Sequence, residues 1–204
     1  MKKFELTSET KINIFGKKLF RIKALISFAD VEAGETGGWV EKEGNVNQSG
    51  DAWVSGNAEV SGNAKVSGNA KVYGNAKVYG NAKVSGDAKV YGNAEVSGDA
   101  EVSGDAEVYG NAEVSGDAKV YGNAEVSGDA EVSGNADYTT IHGFGTQFRT
   151  TTFFRCKDKK VRVACGCFFG TIPEFREQVK NTRKGKIAEE YLMIADLMEK
   201  HFEK

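Results

Sequence analysis

From Gly50 to Thr139, alanine and valine flank a single charged residue, as in Ala76-Lys77-Val78, and the pattern breaks at every sixth position with Gly-Asn or Gly-Asp. Under period-two alternation Ala and Val share one face of an extended segment while the charged residue takes the other. Each unit therefore predicts a three-residue strand. The Gly-Asn or Gly-Asp that follows supplies a corner, because both residue types tolerate the backbone regions a tight turn requires. The unit Gly-(Asn/Asp)-Ala-(Lys/Glu)-Val-(Ser/Tyr) recurs fifteen times without insertion, with departures only in the first unit, at Trp53, and the last, at Asp137-Tyr138-Thr139. Three such edges close a triangular coil of eighteen residues, so fifteen units predict five coils, stacked about 4.8 Å apart into a prism roughly 24 Å long. Three Val and three Ala per coil fill its interior, and the end coils need caps.

The run Val-Ser-Gly-Asn-Ala-Lys resembles the aliphatic-x-x-x-small-x hexapeptide of left-handed parallel β-helices. Left-handed coiling, against the usual right-handed crossover rule, is what that resemblance implies. The fold class expected is mainly β: a left-handed parallel β-helix with an N-terminal β cap and a C-terminal β-hairpin plus two helices. The chain divides into a cap over 1–49, the β-helix over 50–139 and an α+β module over 140–204.

Residues eighteen apart stack vertically, which separates three faces. One carries Ser55, Tyr73, Tyr91, Tyr109 and Ser127, an aromatic column whose tyrosines are interface candidates. Another carries Asn57, Asn75, Asn93 and Asn111, whose amides can bond along the stack. Among charged positions, Lys65, Lys83, Glu101, Lys119 and Asp137 mix signs. Glu95, Glu113 and Glu131 stack like charges, a mildly destabilising column.

In the N-terminal cap, Lys11-Ile12-Asn13-Ile14 and Leu19-Phe20-Arg21-Ile22 read as a hairpin about Phe15-Gly16-Lys17-Lys18. Gly44 to Ser49 reads as a worn repeat with Val46 in the alanine slot and Gln48 in the valine slot. Trp39 and Trp53 are expected to plug the open end of the prism. In the C-terminal segment, Thr150–Cys156 and Lys160–Cys165 read as two strands joined at Lys157-Asp158-Lys159. Thr171, Pro173 and Glu174 signal a helix start with a capping box, and Phe175 and Val179 lie on one face of that helix. Beyond Gly185, Ile187, Tyr191, Ile194 and Met198 recur at helical spacing and read as core.

Charge divides the chain. Residues 50–139 hold six Lys/Arg against fourteen Asp/Glu, and residues 140–204 hold thirteen against eight. An acidic prism repels phosphates, so nucleic acid is disfavoured as a partner, and the basic module carries no recognised nucleic-acid motif. There is no run of eighteen apolar residues and no secretory leader pattern, so the expectation is a cytoplasmic protein with no membrane partner. Cys156, Cys165 and Cys167 are odd in number, which fits a reducing compartment. Cys165-Gly166-Cys167 lacks the two-residue spacing of zinc or thioredoxin-like motifs, and no metal site is expected.

The candidate binding residues are Arg149, Arg155, Lys157, Lys160 and Arg162, with Lys159 in the same basic cluster, beside Gly145 and Thr151. Such a cluster can hold a phosphate or nucleotide-like ligand. Gly143-Phe144-Gly145, Thr150-Thr151-Thr152-Phe153-Phe154-Arg155, Cys165-Gly166-Cys167-Phe168, Gly170-Thr171, Glu174-Phe175 and Gly37-Gly38-Trp39-Val40-Glu41 are together similar to a group of phage and prophage proteins. That resemblance implies a context in a bacterial host cell and no activity. Acyltransferases on the hexapeptide fold use a histidine on or near the coils, but the fifteen units carry none, and His142 and His201 lie outside them. No catalytic residue and no cofactor is expected. The leading expectation is a non-enzymatic structural or interaction protein, a homo-oligomer with a trimer favoured, whose rigid prism presents the basic module to a host protein. The alternative is a phage protein that counters host defence by sequestering a phosphorylated or nucleotide-like small molecule, and a hexapeptide acyltransferase stands third.

Overall fold

The computed structural model describes residues 2–203. Strands β1 (Phe4–Ile12) and β2 (Lys18–Ala24) form an antiparallel hairpin, and β3 (Thr36–Val40) pairs with β2. Fourteen two-residue strands follow, from β4 (Trp53–Val54) to β17 (Glu131–Val132), each a charged residue or tryptophan followed by valine. They stack in three parallel sheets in which each residue pairs with the one eighteen positions on, for example Lys89 with Glu107 and Val90 with Val108. This is a parallel β-solenoid of about five turns, three-sided in section. Every valine from Val54 to Val132 and every alanine from Ala52 to Ala130 in the repeat is fully buried.

The strands are one residue shorter than the alternation predicts, and the hydrogen bonds explain why. Along most of the stack the amides of the Asn/Asp, charged and Ser/Tyr residues donate to the next coil: Asp87 to Gly104 (2.9 Å), Lys89 to Ala106 (2.9 Å) and Tyr91 to Val108 (3.0 Å). The alanine amide turns back instead, as Ala88 donates to the Ser85 carbonyl at 3.4 Å and closes the corner. Alanine thus belongs half to the turn and half to the ladder. At the first central position of that turn Gly86 has φ +68°, a left-handed conformation that favours glycine. An added Cβ there would also lie 2.8 Å from the Gly104 nitrogen of the next coil.

Because donors point toward the following coil, the first coil is left with free carbonyls and the last with free amides. The caps supply the missing partners by type. At the N-terminal end, the buried Lys3 ammonium donates to the Gly50 (3.0 Å) and Ala52 (2.8 Å) carbonyls. The Asn45 amide likewise donates to the Gly62 (3.2 Å) and Ala64 (2.8 Å) carbonyls. Burial lowers the Lys3 pKa against the opposing pull of Asp51. At the other end, side-chain oxygens accept: Thr152 Oγ1 from the Glu125 amide (3.0 Å) and Asn135 Oδ1 from the Lys119 amide (2.9 Å).

Two expectations for the cap are corrected. Val46 stands opposite Val66, so it fills a valine slot rather than an alanine slot. Gln48 lies outside the core and bonds the Lys3 and Phe4 amides through Oε1. The tryptophans do not plug the prism from within. Trp39 and Trp53 stand in the outward, charged-residue slot, opposite Glu59 and Lys71 respectively. They are buried because the cap folds over the outer face. Trp53 packs against Phe4 and Phe28 with centroids 6.2 and 5.4 Å apart, and Trp39 meets the Lys11 and Arg21 cations at 4.6 and 4.8 Å.

Beyond the solenoid, the expected C-terminal hairpin is the centre of a larger sheet. Strands β18 (Tyr138–Phe144), β19 (Arg149–Arg155), β20 (Val161–Cys165) and β21 (Phe168–Thr171) form a four-stranded antiparallel sheet in that order. Helix α1 (Ile172–Thr182) starts at the expected capping box, with the Thr171 amide donating to Glu174 at 2.7 Å. Helix α2 (Gly185–Phe202) follows directly. The sheet has two buried faces. Phe154, Cys156 and Ala164 join the core of the prism, whereas Phe153, Val163 and Phe175 form a second core with Tyr191, Ile194 and Met198 of α2.

Candidate functional site

The outward groups of the prism are largely bonded to one another. Asn57, Asn75, Asn93, Asn111 and Asp129 form a continuous amide ladder with donor–acceptor distances of 3.3, 3.1, 3.2 and 3.2 Å. The rings of Tyr73, Tyr91 and Tyr109 stack nearly parallel at 4.8 and 4.9 Å. All three are half-buried within one chain, and Tyr91 donates to Glu107 at 2.9 Å. Burial, together with that carboxylate, pushes the Tyr91 pKa up. Lys83 bridges to Glu101 at 2.8 Å, and Lys89 to Glu107 at 2.8 Å. Burial pushes the Glu107 carboxyl up, but hydrogen bonds from Lys89 and Tyr91 outweigh it and leave the pKa lowered.

The glutamate column that sequence alone reads as repulsive is neutralised from two directions. Lys77 reaches Glu95 at 2.8 Å, and two lysines of the β19–β20 turn reach the others: Lys157 to Glu113 at 2.6 Å and Lys159 to Glu131 at 2.7 Å. Much of the basic cluster is therefore engaged within the chain. Arg155 donates to the Phe202 carbonyl at 2.8 Å, lies 5.3 Å from the centre of the Phe202 ring and is 3.5 Å from Asp137. Arg162 pairs with Asp158 at 2.7 Å. Thr151 is buried, with its hydroxyl 3.1 Å from the Cys165 sulfur. Lys160 is exposed, on the α1 side of the hairpin beside Ile172 and Pro173.

Arg149 and Gly145 lie apart from these ties. They face a cavity of about 360 Å³ enclosed by the β18–β19 loop, the β20–β21 turn and the two helices. Arg183, at the end of α1, reaches the same cavity. Neither Arg149 nor Arg183 makes an ion pair among the described residues, and no acidic side chain lines the cavity. Its inner wall is Phe168, Phe175 and Tyr191, with Gln147, Gln178 and Cys167 toward the mouth. Tyr191 is fixed by donating to the Phe144 carbonyl at 3.2 Å, and burial raises its pKa, with Cys165 adding to the effect. Cys156 sits at the prism junction, where burial pushes its thiol up to about 11, and only Cys167 is exposed.

Sequence reasoning therefore named one cation of the cavity and missed the other. Arg183 lies thirty-four residues from Arg149 and in a different kind of element, so no local pattern links them. Among the described residues, no group of three or more His, Cys, Asp or Glu stands together as metal ligands would, and no helix is long and apolar enough to cross a membrane. No protein-family model matches the chain, and no curated protein matches it significantly.

Proposed function

We propose that the protein is a non-enzymatic binding protein in which a rigid β-solenoid holds the C-terminal module in place and the module recognises the ligand or partner. One observation carries this reading: the outward side chains of the prism are extensively bonded to neighbours one coil away, whereas the module keeps two guanidiniums around a cavity that make no ion pair among the described residues. A face already bonded to itself offers few groups to a reaction, and a general base must stand within hydrogen-bond reach of its substrate. His142 is exposed, bonds the Thr150 hydroxyl at 3.2 Å and lines a surface hollow with Asn123 and Glu125, and it comes from β18 rather than from a coil. The left-handed coiling of the hexapeptide family, an origin in a phage or prophage, action in the host cytoplasm and assembly into a trimer along the tyrosine column all belong to this proposal.

Native mass spectrometry of the intact protein from a bacterial lysate tests it. The expected result is a trimer carrying a non-covalent passenger or a bound host protein. A bare monomer would overturn it, as would saturable binding of acetyl-coenzyme A accompanied by acetyl transfer. Tyr73→Ser, Tyr91→Ser and Tyr109→Ser together should lower the assembly mass; an unchanged mass limits the column to stabilising its own coils.

A further inference from the structure

We infer that the cavity between the β18–β19 loop and the helices is a binding site for a phosphate monoester joined through a sugar to an aromatic base, the chemistry of a nucleoside monophosphate. The inference rests on the reading of the module as a binding element and specifies its ligand. Four properties of the site lead to it. First, Arg149 and Arg183 converge on one cavity from two elements, and no carboxylate lines it. Arg149 also borders a neighbouring hollow with Glu125, whose carboxyl feels its charge but forms no ion pair with it. Two guanidiniums held together without a counter-charge repel each other, and a bidentate oxyanion relieves that repulsion while satisfying their planar donors.

Second, Phe168 forms one wall and is only partly covered, packed 5.4 Å from the buried Phe175, so its ring is backed and fixed on one side. A backed aromatic beside a cation offers stacking to a flat ring and recognises more than a bare ion. Third, Gln147 and Gln178 stand at the mouth, where amides can meet the polar edges of a base. Fourth, about 360 Å³ lies at the lower end of the roughly 300–1,000 Å³ typical of small-molecule sites, which suits one mononucleotide better than a dinucleotide. The lysines of the β19–β20 turn do not contribute, since Lys157 and Lys159 are engaged with Glu113 and Glu131.

The test is calorimetry on the full-length protein with four probes: AMP, GMP, adenosine and inorganic phosphate. At least one nucleotide should bind with a Kd of about 100 μM or tighter, and adenosine and inorganic phosphate should each bind at least about tenfold more weakly. Arg149→Gln and Arg183→Gln should each weaken the nucleotide by roughly tenfold or more, as expected for a charge-assisted hydrogen bond. Affinity should fall between pH 7.5 and pH 5, because the phosphate loses its second charge near pH 6. Alkylation of the exposed Cys167 in the wild-type protein locates the site without any substitution, and saturating nucleotide should slow it. The inference is overturned if neither nucleotide binds below about 1 mM, if both arginine variants bind as the wild type does, or if bound nucleotide leaves Cys167 unprotected. If all four probes fail while native mass spectrometry still finds a protein partner, the ligand class is wrong and the binding-protein reading stands.

Discussion

In the prism each valine meets copies of itself one coil away, while in the C-terminal module Phe153 meets Phe175 edge-on at 6.1 Å and Phe175 meets Tyr191 at 5.8 Å. The prism gains stability from many similar contacts between nearest neighbours, the condition under which a solenoid behaves as a one-dimensional array. The module gains it from a few large and different side chains. Repetition also leaves little room for specificity, because a face built from one unit satisfies its hydrogen bonds by stacking and has no hollow of its own. The module breaks the pattern and therefore has both a cavity and unmatched charge. The two regions still depend on each other, since the basic hairpin neutralises the glutamates that repetition places in line.

The sharpest way to separate them uses neighbouring phenylalanines on opposite faces of β19. Phe153→Ala and Phe154→Ala should each cost about 3–5 kcal/mol, since both rings are fully buried. Hydrogen exchange should then show Phe153→Ala loosening α1, α2 and β18–β21 while the coils stay protected, and Phe154→Ala loosening the coils nearest Val126 and Val132. Equal loss of protection in both regions for either variant would mean that prism and module unfold as one unit.

A smaller effect sharpens the description of the prism. Gly86→Ala combines a left-handed φ of +68° with a Cβ 2.8 Å from Gly104, whereas Gly122→Ala keeps a φ of +66° and meets nothing within 4 Å. The second should cost about 1 kcal/mol from conformation alone, and the first should exceed it by a further roughly 1–2 kcal/mol. Thermal melts that give the same loss for both would show that the coils can separate to admit a methyl group.

The smallest effect tests the link between the regions. Lys157→Gln with Lys159→Gln leaves Glu113 and Glu131 without their partners, and exposed pairs of this kind contribute no more than about 1 kcal/mol each. The loss should appear in denaturant midpoints at low salt and vanish near 1 M, where screening is nearly complete. A salt-independent loss would assign these lysines a packing role instead.

The six-residue period was enough to identify the solenoid, its number of turns, its tyrosine and asparagine columns and the burial of its valines, because every one of those features depends on contacts repeated at a fixed spacing. The capping box at Thr171 and Glu174 and the core face of α2 were legible for the same reason, being local patterns of three and four residues. Strand β18 was hidden because Tyr138 and Thr139 continue the repeat in sequence, and only pairing with β19 bends the chain out of it. Cap chemistry was hidden too, since Lys3 reads as a surface lysine until the free carbonyls of Gly50 and Ala52 call for a buried donor. Trp53 occupies an outward slot, and only the cap folded over it makes that slot apolar.

What the sequence by itself determined is therefore whatever depends on neighbours at fixed separation: the coil, its corners and its columns. Tertiary structure alone decided which charges are spent and which are free. It turned Lys157 and Lys159 toward the prism, buried Thr151, and brought Arg149 and Arg183 to one cavity from elements that share no periodic relation. A cation's availability depends on carboxylates distant in sequence, and only the folded chain brings those groups within reach.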